Sequence, residues 1–556
     1  MTALLIENLP LLAGAPNGIK KLRELILELA IRGKLVPQDS NDEPASELLK
    51  RIAENKARLV AEGKIKKQKD LTDAPVPVIS FPLPVGWAAT SIGEATICRD
   101  GERVPVSQAE REGRDKVFDY YGASGVIDKI DGYLFDKSLL LVGEDGANLI
   151  NRSTPIAFMA RGRYWVNNHA HVLDGINEEL LLYIELYFNA IDLKPYVTGT
   201  AQPKMNQSKM NGIPVALPPV AEQHRIVAKV DELMDLCNRL EAQQADAESA
   251  HSQLVQTLLD SLTQASDASD FAVAWQRLAE HFHTLLTTEP SIDALKQTLL
   301  QLAVMGKLVY PDSSDEPASE LLKRIAVEKR QLMGEGKIKK QKLLGEITEE
   351  EKTYELPAAW AWTRLGSQVI ESGAGWSPSC EARPRNGDEW GVLKVSAVSW
   401  GIYRPEENKA LPPNLEARPE HEVTNGDFLV SRANTAELVA RSVVVEETPN
   451  RLMLSDKIVR LRLTALCARR YINLANSAPL ARSYYSQVAG GTSSSMKNVS
   501  REQILNLPIA LPPLAEQQRI VDKVDQLMLL CDTLKRQINV ANEKQTTLLN
   551  AVIAQV

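Results

Sequence analysis

Apolar residues recur in the second quarter of the chain in steps of four and three, at Ile226, Val230, Leu233, Cys237 and Leu240. That period is the seam of a coiled-coil helix. The helix is predicted to start after Pro218 and Pro219, where missing backbone N–H groups cost nothing. The same steps return at Ile520, Val524, Leu527, Cys531 and Leu534 and run on through Ile538, Ala541, Leu548 and Val552. This predicts a terminal helix of about 42 residues, roughly 60 Å at about 1.5 Å per residue. In the first copy the seam fades through QQADAESAHSQ (243–253) and resumes at Leu254, Leu258 and Leu262, which predicts a polar or frayed middle. Near the chain start, a helix from Ile19 to about Ile31 stops near Gly33. An Asp42-Glu-Pro-Ala-Ser-Glu start, read as a cap and acidic first turn, then opens a helix reaching about Glu62.

The helical segments are repeats. Residues 29–69 return without a gap at 302–342: LAIRGKLVPQDSNDEPASELLKRIAENKARLVAEGKIKKQK becomes LAVMGKLVYPDSSDEPASELLKRIAVEKRQLMGEGKIKKQK, 30 identities in 41 positions at an offset of 273. PVALPPVAEQHRIVAKVDELMDLCNRL (214–240) returns as PIALPPLAEQQRIVDKVDQLMLLCDTL (508–534) at an offset of 294, so the second copy holds 21 more residues. Between the repeats, 70–213 and 343–507 begin alike, LPVGWAATSIG (83–93) and LPAAWAWTRLG (356–366), and then diverge. The halves are circularly related. Residues 1–69 packed on the C-terminal helix as 302–342 packs beside the central one would create a pseudo-twofold axis and two equivalent partner sites.

Both divergent tracts mix short β-like runs with Gly, Pro, Asn and Asp punctuation, as in YLFDKSLLLVGEDG (133–146), DFLVSRANT (427–435), ARSVVVEE (440–447) and DKIVRLRL (456–463). Each also carries a helix, NEELLLYIELYFNAI (177–191) and ARRYINLANSAPLARSYYSQ (468–487). The expected fold class is therefore α+β, two strand-rich α/β domains separated by long helices. Each tract ends in a Gly-Thr loop, GTAQPKMNQSKM (199–210) and GTSSSMKNVSRE (491–502).

Composition narrows the class. With 556 residues, 44% hydrophobic and 24% charged, the chain is an ordinary globular one with several domains. No apolar stretch is long enough to span a membrane and the N-terminus lacks a basic leader, so the reading is cytoplasmic. Cys98, Cys237, Cys380, Cys467 and Cys531 show no C-x-x-C pair, which argues for reduced thiols rather than disulfides or a zinc ribbon. Walker A, G-x-S-x-G, H-E-x-x-H and the Asn/Asp-Pro-Pro-Tyr tetrapeptide of amino-methyltransferases are all missing. No catalytic residue, bound cofactor or metal is therefore expected. His169 with His171, or His281 with His283, are the weak metal candidates, and Asp388, Glu407 and Lys409 a weak nuclease-like set.

Charge points to nucleic acid only locally, because the net charge is −8. From Ser455 to Arg501, Lys457, Arg460, Arg462, Arg469, Arg470, Arg482, Lys497 and Arg501 stand against Asp456 alone, +7 in 47 residues. A DNA-facing groove has that signature. In the first tract the basic residues Arg152, Arg161 and Arg163 lie among Asn148, Asn151, Asn167 and Asn168, side chains able to reach bases or phosphates. Lys204 and Lys209 in one Gly-Thr loop, Lys497 and Arg501 in the other, and Arg432 and Asn434 of DFLVSRANT complete the DNA-binding candidates. The KIKKQK run, at 64–69 and 337–342, is either a solvated helix flank or a phosphate or partner contact.

The whole plan, with ALPPVAEQHRIV (216–227), ALPPLAEQQRIV (510–521) and GTAQPKMN (199–206), resembles the specificity subunit of type I restriction–modification enzymes. GTSSSMKN departs from GTAQPKMN, which puts a shared role for Gln202 in doubt. The resemblance implies target-recognition domains at 70–217 and 343–511, between an N-terminal helical segment (1–69), a central spacer (218–342) and a C-terminal helix (512–556). It implies double-stranded DNA as ligand, two modification subunits that use S-adenosylmethionine, and restriction subunits that use ATP and magnesium. Residues common to both halves cannot encode two different half-sites, so base reading is expected at 90–198 and 367–489. Ile226, Val230, Leu233, Ile520, Val524 and Leu527 are expected to dock the modification subunits. A coiled-coil scaffold presenting two protein- or ligand-binding domains is the alternative.

Overall fold

In the computed structural model, which describes residues 12–65, 79–199, 202–399, 401–491 and 496–555, the duplicated sequence becomes a duplicated frame. The chain divides into two units, Met1–Ala247 with Ala541–Val556, and Glu248–Val540.

The first unit contains helices α1 (Gly18–Ile31) and α2 (Ala45–Ala61), then strands β1 (Ala88–Ser91), β2 (Ile97–Cys98), β3 (Phe118–Gly122), β4 (Gly125–Ile130) and β5 (Phe135–Asp136). There follow β6 (Leu139–Gly143), β7 (Ala157–Ala160), β8 (Arg163–Val166), β9 (Ala170–Asp174), α3 (Glu178–Ala190), β10 (Pro214–Leu217) and the start of α4 (Val220–Thr263). The second unit contains α5 (Ala268–Glu280), α6 (Glu289–Val304), α7 (Ala318–Gly334), β11 (Ala361–Arg364), β12 (Val369–Ala374), β13 (Gly391–Leu393), β14 (Asn408–Ala410) and β15 (Phe428–Ser431). It continues through β16 (Ala433–Asn434), β17 (Ser442–Val444), β18 (Leu452–Met453), β19 (Ile458–Leu463), α8 (Arg469–Ser477), α9 (Pro479–Val488), β20 (Lys497–Asn498), β21 (Pro508–Leu511) and most of α10 (Leu514–Gln555).

Much of the frame repeats in both units. β1 pairs antiparallel with β10 from Ala88↔Leu217 to Ser91↔Pro214, and β11 with β21 from Ala361↔Leu511 to Arg364↔Pro508. Gly33 has a left-handed φ of 67°, and a Cβ there would lie 2.5 Å from Pro84; at Gly306 (φ 73°) it would meet Pro357 at the same distance. Only glycine serves both needs. Gln223 Nε2 donates back to the Pro218 carbonyl at 2.8 Å, and Gln517 to Pro512 at 2.9 Å, closing the turn that launches each long helix. Arg225 meets Asp42 at 2.6 Å and Arg519 meets Asp315 at 2.6 Å. Asp42 is thus committed to α4 rather than capping α2, whose N-cap position is Pro44.

The central strand of each divergent domain is buried on both faces, which is why it reads as a continuous apolar run. In the order β2-β9-β6-β7, Leu140 and Val142 of β6 pack with Leu180 and Ile184 of α3, while Leu139 and Leu141 join Tyr164 and Val166 of β8. β8 belongs to a second sheet, β4-β3-β8-β5. In the order β12-β19-β15-β17, Phe428 and Val430 of β15 face the main core with Tyr471 of α8, and Leu429 faces a smaller core with Leu393 of β13.

Three expectations are corrected. Among the described residues the first repeat segment packs on α4 of its own half, through Arg23 to Glu241 at 2.7 Å and Gln38 to Glu222, and meets the last turns of α10 through Lys21 to Asn550 at 2.6 Å. Similarly Lys296 of α6 reaches Asp532 of α10 at 2.6 Å within the second unit. Of the polar or frayed middle expected in α4, the structure shows the polar one, a continuous helix with 243–253 mostly exposed, while the seam resumes on Val255, Leu259 and Leu262 rather than on Leu254, which is exposed. In α10 Leu549 is buried and Leu548 exposed, because an α-helix drifts away from a strict 3.5-residue seam. Finally, Ile226, Val230, Leu233, Ile520, Val524 and Leu527 are no more than 6% exposed. The chain's own α1 and α6 fill those seams, so these six side chains are not available to dock a partner subunit.

Candidate DNA interface

In the first unit the loops after β6 and before β10 close on each other. The Thr198 and Lys204 backbones exchange hydrogen bonds at 2.8 Å, Met205 N donates to Glu144 O at 2.8 Å, and Gly146 N to Pro203 O at 3.0 Å. Beneath this loop pair lies a buried ionic network. Asp100 accepts from His171 Nδ1 at 2.6 Å, and His171 Nε2 donates to the Met205 carbonyl at 2.7 Å. Both ring nitrogens of the fully buried imidazole are thus engaged, one by a carboxylate and one by a main-chain carbonyl. Arg103 bridges Asp100 at 3.3 Å and Glu144 at 2.7 Å, and Lys204 reaches Glu144 at 3.1 Å. Burial alone would push the Asp100 and Glu144 carboxyls up, but the cations around them hold both below the usual carboxylate range. Asp100, Glu144 and His171 form a metal-like triad, with ligand atoms within 4.8 Å. Arg103 and Lys204 supply the positive charge there.

The second unit builds the same junction from different residues. Ala433 pairs with Asn498 and Asn434 with Lys497, Gly490 bridges Asn498, and Val499 N donates to Arg432 O at 2.9 Å. Arg432 N bonds to Lys457 O at 2.8 Å, which brings Lys457 to the same end of the sheet, and Arg501 donates to Ser372 O of β12 at 3.2 Å. Where the first unit presents Glu144 and Asp145 after its central strand, the second presents Arg432 and Asn434. The loops also differ in length: Thr198 and Lys204 are six residues apart, Gly490 and Asn498 eight. Counting from the caps Asn206 and Ser500, Lys204 stands where Asn498 stands, so Lys204 and Lys497 are not equivalent.

Most single residues proposed from sequence are engaged in holding the fold. Asn148 closes its own loop by accepting from Thr154 N at 3.1 Å and donating to Thr154 O at 3.0 Å. Arg152, with a left-handed φ of 52°, donates to the carbonyls of Phe188 and Ile191 and so caps the end of α3. Arg161 pairs with Glu178 at 2.9 Å, and Arg163 with Asp136 at 2.9 Å beneath the Tyr133 ring. Asn151 and Lys209 are exposed, and Lys209 has no ion pair among the described residues. In the second unit Arg460 is spent on Asp427 at 3.3 Å and the Glu422 and Glu420 carbonyls, Arg462 pairs with Glu371 at 3.1 Å, and Arg470 with Asp525 at 2.8 Å. Asn434 donates to Ser399 Oγ at 2.8 Å. Lys497 donates only to the Gly491 carbonyl, while Arg432 and Arg469 make no ion pair among the described residues. The +7 tract is therefore not an open basic groove. Its acids lie outside the window.

Sequence reasoning missed the Asp100–Arg103–Glu144–His171 network, whose only trace was a histidine on a strand, and Arg418, which stacks on Trp376 at 4.1 Å. Of the weak catalytic set, Glu407 is taken by Lys394 at 2.7 Å and Asp388 lies exposed beside Arg451. His281 and His283 are exposed.

Two domains on one repeated frame, with unlike chemistry at matching loops, define a two-module reader. A family model described as the type I restriction modification DNA specificity domain matches residues 84–248 and 450–543. The EcoEI specificity subunit of Escherichia coli is 43% identical over 96% of this chain and 93% of its own length, and the EcoAI specificity subunit of Escherichia coli is 36% identical over the same shares. The chain belongs to the specificity subunits of type I restriction enzymes. A solved specificity subunit from Thermoanaerobacter tengcongensis, 16% identical, covers 86% of this chain and 97% of its own at a TM-score of 0.38, too loose to carry structural detail across.

Proposed function

We propose that each divergent domain reads one half of a bipartite, asymmetric sequence in double-stranded DNA, and that the chain directs methylation and cleavage by partner subunits without catalysing either. The observation that carries this is the matched junction: frame strands paired in the same way in both units lead to loops that carry Asp145 and Lys204 in one and Arg432 and Asn434 in the other. Equal frames with unequal loop tips suit two different half-sites, since base edges, unlike phosphates, differ with sequence. On this reading two modification subunits supply S-adenosylmethionine chemistry, and restriction subunits supply ATP- and magnesium-dependent cleavage. The scaffold alternative accounts for the helices but gives no reason for a repeated frame with exchanged loop charge.

The test is methylation of a random-sequence DNA library by the chain with its modification partner, read on single molecules. A single non-palindromic motif with a fixed gap is expected, and exchanging residues 90–198 for those of another specificity chain changes one half only. A change in both halves, or no motif while the partner is active with another specificity chain, overturns the reading.

A further inference from the structure

The basic run Lys337–Lys342 is not a loose helix flank. Gln341, inside it, donates from Nε2 to the carbonyls of Val369 at 3.1 Å and Ile370 at 2.6 Å, clamping the run along β12, the outermost strand of its sheet. Arg501 reaches the Ser372 carbonyl of the same strand, and Lys342 lies 3.7 Å from Glu502, both side chains largely in solvent. Lys339 and Lys340 are exposed and make no ion pair among the described residues. Of the acids that follow, Glu349 is taken by Lys352 at 2.5 Å and Glu351 by Arg364 at 2.6 Å, while Glu346 and Glu350 stand exposed. Lys337 is paired with Glu335 at 2.8 Å, so the segment tied to the β12 edge carries Lys339 and Lys340 as its unpaired cations, near the edge that Arg501 also reaches.

We propose that this run binds DNA backbone phosphates, independently of base sequence, beside the domain that reads the bases; this rests on the DNA-reading function above. The sequence pattern supports a phosphate over a base as ligand. The run is identical at 64–69 and 337–342 while the reading domains diverge, and phosphates are the one feature both half-sites share. Residues 66–69 of the first copy lie outside the described residues.

The experiment uses the chain assembled with its modification partner, a duplex carrying the methylated motif and a scrambled duplex of equal length. In Lys339→Gln/Lys340→Gln, affinity for both duplexes falls by the same factor. The slope of log affinity against log salt falls by about 0.9 per lost phosphate contact, and the methylated motif is unchanged. An unchanged slope overturns the proposal, as does a loss confined to the motif duplex, which would make these lysines base readers. Loss of assembly with the partner at an unchanged slope would make the run a protein-docking site and also overturn it. Failure of the two-half reading looks different: the unsubstituted complex would methylate no bipartite motif, while the lysine-dependent slope would still be measured on the scrambled duplex.

Discussion

Trp87 donates its indole N–H to Glu222 at 3.0 Å, 135 residues away, inside the first turn of α4. Gln38 supplies a second donor at 3.2 Å. In the other unit Pro311 replaces Gln38, and Trp360 still faces Glu516, but the indole nitrogen and both carboxylate oxygens fall outside hydrogen-bond geometry. A helix N-terminus favours the charge, but Glu516 is only 1% exposed. Burial pushes its carboxyl up, so the folded chain holds that proton more tightly than the unfolded one. The associated stability is present below the ordinary carboxylate range and is lost as pH rises. Glu516→Gln is expected to stabilise the second unit by roughly 1–3 kcal/mol at pH 8, raising its melting temperature there, and to leave it unchanged at pH 4. Burial pushes the Glu222 carboxyl up too, but Trp87 and Gln38 satisfy it, so Glu222→Gln should bring a smaller gain. Equal effects of the two substitutions in pH-resolved thermal unfolding would contradict this account.

Arg152 looked from sequence like a phosphate ligand and is instead the cap of α3. Arg152→Ala removes both carbonyl contacts while keeping a side chain in the left-handed region, so a loss of roughly 1–3 kcal/mol is expected in denaturant unfolding of the first unit. The salt dependence of DNA binding should not move. A reduced salt slope with undiminished stability would restore the phosphate reading.

The frame was legible because it is written twice: repetition marks Gly33, Asp42, Gln223 and Arg225 before any contact is known, and each proves to be a frame bond or close approach. The interface was less legible because charge was counted along the chain. Arg460 finds Asp427 33 residues upstream and Arg470 finds Asp525 55 residues downstream, so a window holding only Asp456 overstates the free charge. The seams of α4 and α10 misled for a related reason. Period shows that a helix face is buried but not whose residues bury it, and here α1 and α6 reach those faces before any partner can.

His171 is the pin of the first Gly-Thr loop, holding Asp100 with one nitrogen and the Met205 carbonyl with the other. His171→Ala leaves Asp100 buried against Arg103, with Glu144 still met by Arg103 and Lys204, and a loss of roughly 3–5 kcal/mol is expected. If the pin positions the loop, hydrogen exchange at Lys204 and Met205 should rise before the unit as a whole unfolds, and methylation should lose selectivity in one half of the motif only. Exchange that rises uniformly over the unit would reduce His171 to general stability.

Glu185 gives the first unit a titration near neutrality. It sits on α3 with Arg161 and Asp231 facing it, and burial pushes its carboxyl up to about 7, Asp231 adding to the rise and Arg161 opposing burial. Because the folded pKa is the higher one, the stability linked to this group is complete below the ordinary carboxylate value and disappears as pH climbs through about 7. The melting temperature of the first unit should therefore decline between about pH 5 and pH 7.5, and Glu185→Gln should flatten that decline. Arg161→Ala should move the titration upward and extend the decline to higher pH, since the Arg161 charge that opposes the rise is gone. Superimposable pH profiles for the three proteins would show that Glu185 stays ionised throughout, with its charge met by solvent rather than by the fold.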